Sequence, residues 1–599
     1  MADKLKRREE VDINETWALS DIFEIDEAWE KEFERISLEV PKYSEFEGKL
    51  GQSAKILYDC LVFDEKMGQA IDRLYNYAFM KSDQDTSNTK YQQFVGKAAA
   101  LWASAASASA FISSEILEID KAVLDEYKKS SDAVRSFDRK LELIERDRAH
   151  TRSSEIEALL ADSFECTAAS SDIFKMFNNA DIKFAPIENE KGELVEMSHG
   201  RYVTFMESSD RRVRKAAFES MYKPFINYKN TLAAAFSGNV KKSVFYAKAY
   251  KFNSSIEYHL SDANVPIKVY DSLIETVHKY MPLMYKYVAL RKKVLGVDEL
   301  HMYDVYTPIV PDVEIKVDYD EAKAMINKAL APMGKEYLDV LNEGFNNRWI
   351  DSCENEGKRS GAYCTSVHGV HPYVLTTYKG NLDSVFTLIH EMGHAMHSWF
   401  SDNNQTYTNS QYKIFVAEVA STCNEALLNK YLLDTAEDKL QRAYIINHYL
   451  DGFKGTLFRQ TMFAEFEKIA HEKYEEGEVL TAELLCSIYR GLNELYFGED
   501  MIIDSEIDME WARIPHFYSP FYVYQYATGF SAAIALSERI SGGKTEALED
   551  YLTFLKGGCT KDPIDLLVDA GVDMRTSAPI EAAMKVFEKL VTELEELLA

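Results

Sequence analysis

The spacing of apolar residues changes character several times along the chain. From Trp17 to about Lys175 they recur every three or four positions, as in Ile56-Leu57-Cys60-Leu61 and Ile71-Leu74-Tyr75-Tyr77, which predicts a bundle of antiparallel helices. Between Ile182 and Phe205 the pattern becomes extended. Lys183 to Ile187, a Glu190-Lys191-Gly192 turn, Glu193 to Val195 and Tyr202 to Phe205 predict a β-hairpin and a sub-domain junction near residue 200. Helical spacing resumes at Asp210 and runs to about Ala331, interrupted by an extended stretch from Val305 to Val317. A second β-rich passage, Tyr373 to Tyr378, closes at Gly380-Asn381, and everything after Asp383 again reads mostly as helix. The chain has no fixed-period repeat, which argues against a solenoid scaffold.

Composition sharpens this reading. A chain of 599 residues exceeds a single ordinary core and predicts several domains or a large helical body with sub-domains. Only 13 prolines and 26 glycines interrupt it, which favours helix. Lys+Arg 68 against Asp+Glu 98 leaves a formal charge of −30, which repels phosphate backbones and makes nucleic acid a poor partner. The seven cysteines are odd in number, scattered and free of any C-x-x-C pair, so they are expected as small core residues of a protein in a reducing, cytoplasmic setting. The N-terminal decapeptide carries no apolar stretch behind its basic residues, so no leader or anchor is expected there. The uncharged Ala98 to Ser114 segment, mostly Ala and Ser, reads as a tightly packed interior helix rather than a bilayer span.

Chemistry concentrates at His390-Glu391-Met392-Gly393-His394, an H-E-x-x-H. Val385, Leu388, Ile389, Met392, Met396 and Trp399 fall at helical spacing around it, and Asn381 or Asp383 can cap the helix start. Four residues apart on a helix, His390 and His394 differ by only about 40° around the axis and project from one face. That suits two ligands of a tetrahedral Zn²⁺, while Glu391, about 100° round, flanks the metal as a base for water. A third ligand is needed. His397 lies about 10 Å from His390 along the axis, too far to share the ion, and Cys423 in an apolar helix reads as core. Glu418, a carboxylate among apolar residues in Phe415-Val416-Ala417-Glu418-Val419-Ala420, is the better candidate, and Glu425 could orient a ligating imidazole from behind. Gly393 inside the helix suggests that a neighbouring helix or the substrate approaches closely there. Tyr373 to Tyr378 reads either as an exposed edge strand on which an extended peptide could pair, with Tyr373 touching substrate, or as an internal strand.

His-Glu-Met-Gly-His-Ala-Met-His-Ser at 390–398 with Phe-Val-Ala-Glu-Val-Ala-Ser-Thr-Cys-Asn-Glu at 415–425 resembles the thimet-type oligopeptidases, peptidase family M3, and most closely the oligoendopeptidase F branch. Trp17 to Phe23, Ser209 to Arg214, Tyr373 to Leu375 and Gly557 to Pro563 extend the likeness over nearly the whole chain. The resemblance implies a mainly α, two-lobed body with a deep substrate channel and small β elements near the active site. It implies an N-terminal helical domain of oligopeptidase F type over residues 1–200 and a catalytic domain over 201–599. It further implies one Zn²⁺ per chain on His390, His394 and Glu418, with Glu391 as base. Within His516 to Tyr526, it points to His516 and Tyr526 as catalytic donors and Tyr522 as a substrate contact; this chain has one extra residue between the His and the tyrosines, and Gly529 where the mammalian branch places another tyrosine. The expectation is a cytoplasmic zinc endopeptidase for short unstructured peptides, with no nucleic-acid or membrane partner and its oligomeric state open. A helical zinc carboxypeptidase or dipeptidase, and an inactive peptide-binding scaffold, are the alternatives.

Overall fold

A computed structural model of the chain describes residues 4–311, 313 and 315–599. Helices dominate, and they gather into two compact units: residues 1–149, 315–431 and 536–571 form the first, and residues 150–314, 432–535 and 572–599 the second. Each unit is assembled from three segments. The chain leaves the first unit at residue 150 and returns to it at residue 315.

The first unit begins as the predicted bundle. Helix α1 (Ala54–Gln84) is capped by Ser53, whose hydroxyl accepts from the Ile56 amide, and packs on α2 (Thr89–Ser109), capped by Asn88. Between them Trp29 stacks on Phe94, with ring centroids 4.0 Å apart, while its indole N–H donates to the Leu74 carbonyl. The interior helix expected at Ala98 to Ser114 is instead a surface element. Only the Phe94, Ala98, Leu101 and Ala105 stripe of α2 is buried, and Trp102 stands 59% exposed on the other side. Small side chains there reflect close packing along a single stripe. The span Thr89–Glu118 is nonetheless long and apolar enough, by length and composition, to cross a membrane.

A three-stranded sheet follows: β1 (Ile350–Asp351), β2 (Tyr363–Thr365) and β3 (Tyr373–Leu375), in the order β1-β3-β2. β1 runs parallel to β3, with Ile350 opposite Val374, and β2 runs antiparallel to it, with Cys364 opposite Val374. Lys358 ties the sheet's end together, its ammonium donating to the Asp351 carboxylate (2.7 Å) and to the Cys353 and Thr376 carbonyls (2.8 and 2.7 Å). After β3 the chain turns at Gly380, with φ +72°, into α3 (Leu382–Asn404), and then continues into α4 (Ile414–Thr435).

In the second unit the predicted hairpin is present but short, Ile187–Glu188 paired with Leu194–Val195. Tyr202 to Phe205 is not its continuation; these residues lie in the helix His199–Met206, whose start is fixed by the Ser198 hydroxyl accepting from the Arg201 amide. Tyr202 and Met206, one turn apart, are its buried face, so the cap and the four-residue spacing override the β-branched composition. The described residues of Val305 to Val317 are non-helical, as expected. Phe236, Phe466, Trp511 and Phe517 build an aromatic core. All seven cysteines are free, but only Cys60 and Cys423 are buried; Cys166 is exposed and the others half-buried, so the expectation of seven core residues is met by two.

Candidate metal centre

Helix α3 starts where the capping argument placed it: Asn381 accepts from the Ser384 amide at 3.0 Å. Val385, Leu388, Ile389, Met392, Met396 and Phe400 are buried at helical spacing, which anchors the helix and turns His390 and His394 the same way. The two imidazoles stand 4.9 Å apart, centroid to centroid, with planes at 83°. From α4, Glu418 reaches both: its Oε2 lies 3.4 Å from His390 Nε2 and 3.6 Å from His394 Nε2. Two donors each about 2.1 Å from a shared tetrahedral ion lie about 3.4 Å apart, so the three groups fit a zinc-sized ion. Among the described residues this is the cluster whose ligand atoms converge in that way.

The supporting groups are equally specific. Glu425 Oε1 lies 2.9 Å from His390 Nδ1, which holds that nitrogen as the N–H and leaves Nε2 free to ligate. Glu425 thus occupies the orienting position anticipated for it. The Ser421 hydroxyl donates to Glu418 Oε2 at 3.2 Å, and a backbone hydrogen bond to Ala417 fixes His394. Close approach of the two helices depends on Gly393, where a Cβ would fall 2.5 Å from Ser421 Cα and 2.9 Å from its amide nitrogen. The glycine admits the neighbouring helix, one of the two roles considered for it.

Electrostatics follow from the burial of opposite charges together. Burial disfavours a charged His390, but the hydrogen bonds it donates to the Glu418 and Glu425 carboxylates outweigh it and raise the imidazole to about 10. Burial and the charge of His390 push His394 down to about 4. Burial opposes charge on Glu418 too, yet the two imidazoles draw it down to about 2. Glu391 is 8% exposed, and burial raises it to about 7; its Oε2 has no hydrogen-bond partner within the protein. A buried carboxyl oxygen with no protein donor is placed to accept from water.

His397 stays out of the cluster, stacked on Tyr412 at 3.7 Å, and Cys423 is core, as expected for both. Tyr373 requires a correction. It lies on the central strand, paired on both sides, its side chain is 0% exposed and its hydroxyl donates to the Ala18 carbonyl, so it offers no edge. The edge strands are β1, flanked by the Glu15 and Ala18 backbone through the bonds Ser352 N–H to Glu15 O and Ala18 N–H to Arg348 O, and β2, which sequence reasoning passed over. β2 packs against α3, and the thiol of its Cys364 is raised by burial and by the neighbouring Glu391 carboxylate. Tyr-Cys-Thr between Gly361 and His368 carries β-forming residues but less apolar weight than Tyr-Val-Leu, and the more apolar strand is the inner one. In the second unit His516, Tyr522 and Tyr526 form their own cluster: ring centroids are 5.5–6.2 Å apart and the Tyr526 hydroxyl is 3.4 Å from His516 Nε2. Partial burial and Arg459 lower the pKa of His516, favouring the neutral imidazole.

The family model described as peptidase family M3 matches residues 204–586, and that described as oligopeptidase F matches residues 115–184. The chain is 49% identical over 597 residues to oligopeptidase PepF of Bacillus subtilis, covering 100% of this chain and 89% of that one. It is 41% identical to an oligoendopeptidase F homolog of Lactococcus lactis, covering 99% and 98%. The solved oligoendopeptidase-F from Enterococcus faecium superposes with a TM-score of 0.75 at 40% identity, covering 96% of this chain and 99% of that one. The chain belongs to peptidase family M3, in its oligopeptidase F branch, and is a metallopeptidase.

Proposed function

We propose that the chain is a cytoplasmic zinc endopeptidase that cuts internal bonds of short, unstructured oligopeptides. The observation that carries this is the convergence of His390, His394 and Glu418 with a buried, protein-unpartnered carboxyl oxygen of Glu391 beside them. His390, His394 and Glu418 would hold the ion, one per chain, with Glu425 fixing the His390 tautomer and Ser421 the Glu418 rotamer. Bound zinc supplies Lewis acidity and brings the pKa of water at the site towards about 7. Glu391 takes the proton from the attacking water and returns it to the departing amine, a role suited to a buried carboxyl with one oxygen free of protein donors. The open edge of β2 pairs with the peptide main chain, which reads backbone rather than side chain and suits varied, extended substrates. His516 and Tyr526 donate to the developing oxyanion, and Tyr522 contacts substrate.

The test pairs metal analysis with kinetics. Glu391→Gln retains stoichiometric zinc and loses several orders of magnitude in kcat; undiminished turnover would remove Glu391 from the mechanism. A peptide blocked at both ends is cleaved internally by the wild type. Failure on that peptide, with cleavage of its unblocked form, would favour a carboxypeptidase or dipeptidase.

A further inference from the structure

Away from the metal centre, the first unit carries a cavity of about 250 Å³, open to solvent on one side, between α1, α2 and Tyr407. Helix α1 turns Asp64, Gly68, Asp72 and Tyr75 towards it, at spacings of four, four and three residues that keep them on one helical face. Across from them α2 offers small residues, Ala105, Ala106 and Ser109, which leave the space open, and Trp102 at the rim. Tyr43 and Tyr407 complete the walls, and the bare Gly68 lets the Tyr407 ring lie against α1, since a Cβ there would sit 3.1 Å from its Cε1. Four aromatic rings therefore surround the space, with Tyr75 and Trp102 set edge to face at 5.8 Å.

The charge in this box is one-sided. Asp64 is satisfied by the Lys140 ammonium at 2.5 Å and the Tyr43 hydroxyl at 2.9 Å. Asp72 has only the Asn76 amide, at 2.9 Å, and among the described residues it pairs with no Lys or Arg. Burial and the nearby Asp402 carboxylate raise Asp72 to about 6, with His368 easing it slightly. Tyr407 is raised by burial among the same acids, Asp72, Asp64, Asp402 and Glu65. A dry packing void would be lined by apolar groups, whereas this one sets an acid with no Lys or Arg partner among the described residues alongside four aromatic side chains, whose ring quadrupoles attract cations.

We infer that the box of Tyr43, Tyr75, Trp102 and Tyr407 over Asp72 is a binding site for a small organic ammonium ion. The shared chemistry is a compact, weakly hydrated cation able to rest on rings while facing a carboxylate; a methylated amine and the ammonium group of a peptide both possess it. The site is separate from the proposed zinc ligands, and its test does not depend on catalysis.

The full chain is titrated calorimetrically with tetramethylammonium chloride, against sodium chloride at equal ionic strength, with tryptophan emission followed in parallel. Lysinamide and glycinamide in separate arms distinguish a peptide ammonium from a methylated amine. Saturable binding of at least one organic cation is expected, with an emission change that disappears in Trp102→Phe. Asp72→Asn weakens binding by about tenfold or more, since it removes the charge facing the cation. Ala106→Phe fills the mouth and abolishes binding with Asp72 intact, so the loss does not rest on one variant; cooperative thermal unfolding of both confirms that they fold. A wild type that responds no more to the organic cations than to sodium, or a folded Asp72→Asn variant that binds as tightly as wild type, overturns the site.

Discussion

Gly393 shows how much of the proposed metal centre rests on a side chain that is missing. The ligands come from two helices, and the backbones must meet where a methyl group would fall 2.5 Å from Ser421 Cα. Gly393→Ala gains about 1 kcal/mol in helix propensity but forces α3 and α4 apart, and overpacking of a rigid backbone contact costs about 3 kcal/mol. The expected result is lower stability together with weakened zinc retention, read by denaturant unfolding and metal analysis after dialysis. Unchanged metal content would show that the helices can separate without moving Glu418. A second residue, Glu467 in the second unit, is wholly buried, has no side-chain hydrogen-bond partner and at most a weak contact to the Phe521 backbone, and is raised to about 8 by that burial. The native state keeps its proton where the unfolded chain has lost it, so stability falls as pH rises from the ordinary glutamate range through about 8. The buried His259 and His471, lowered to about 4 and 3, are already neutral in the upper part of that window and do not offset the fall. Glu467→Gln should flatten the decline of Tm between pH 7 and 9, and an equal decline in both proteins would place its cause elsewhere. Residues of this kind differ in how far sequence exposes them. His390, Glu391 and His394 are legible because their spacing and the helical period are local facts. Glu418 was the favoured of several candidates for the third ligand, whereas the isolation of Glu467 depends on what folds around it and leaves no local trace.

At the scale of elements, burial decides what a pattern means. Both Tyr363–Thr365 and Tyr373–Leu375 are short β-forming runs, and nothing in either states which is flanked. The order β1-β3-β2 makes the more apolar run central, because an inner strand here buries all three of its residues. The same blindness affects α2, where Ala and Ser describe close packing without saying on how many sides. Helix starts are easier, because a cap is a local hydrogen bond, and Asn381 was legible for that reason. The sheet that carries the open edge is held by a buried ion pair, Lys358 with Asp351, both side chains at most 2% exposed, supported by Arg8 at 2.5 Å from the same carboxylate. Lys358→Met removes four donated hydrogen bonds and leaves Asp351 underpaired in the core. Loss of one member of a buried pair costs about 3–5 kcal/mol, so Tm should drop sharply and amide exchange rise first in β1 and the turn after it. Uniform loss of protection across the first unit would instead mean that the pair supports the whole core.

For the molecule as a whole, the formal charge of −30 sets a field that no single contact describes. Thirty more acids than bases cannot all be paired, and the excess repels anions and concentrates cations near the surface. Screening makes the effect adjustable: the Debye length shrinks from about 30 Å at 0.01 M salt to about 8 Å at 0.15 M. For peptides of matched length cut at the same bond, kcat/KM for a lysine-flanked peptide should exceed that for a glutamate-flanked one at low salt and fall by about three- to tenfold as salt rises, while the acidic peptide gains. The difference should appear in KM and leave kcat nearly unchanged, since the field acts on encounter and on the bound charge rather than on the proton transfer proposed for Glu391. A difference that persists at high salt would point to short-range subsite contacts. Equal kcat/KM for the two peptides at low salt would mean that the path to the scissile bond is shielded from the acidic exterior, and that net charge governs solubility alone.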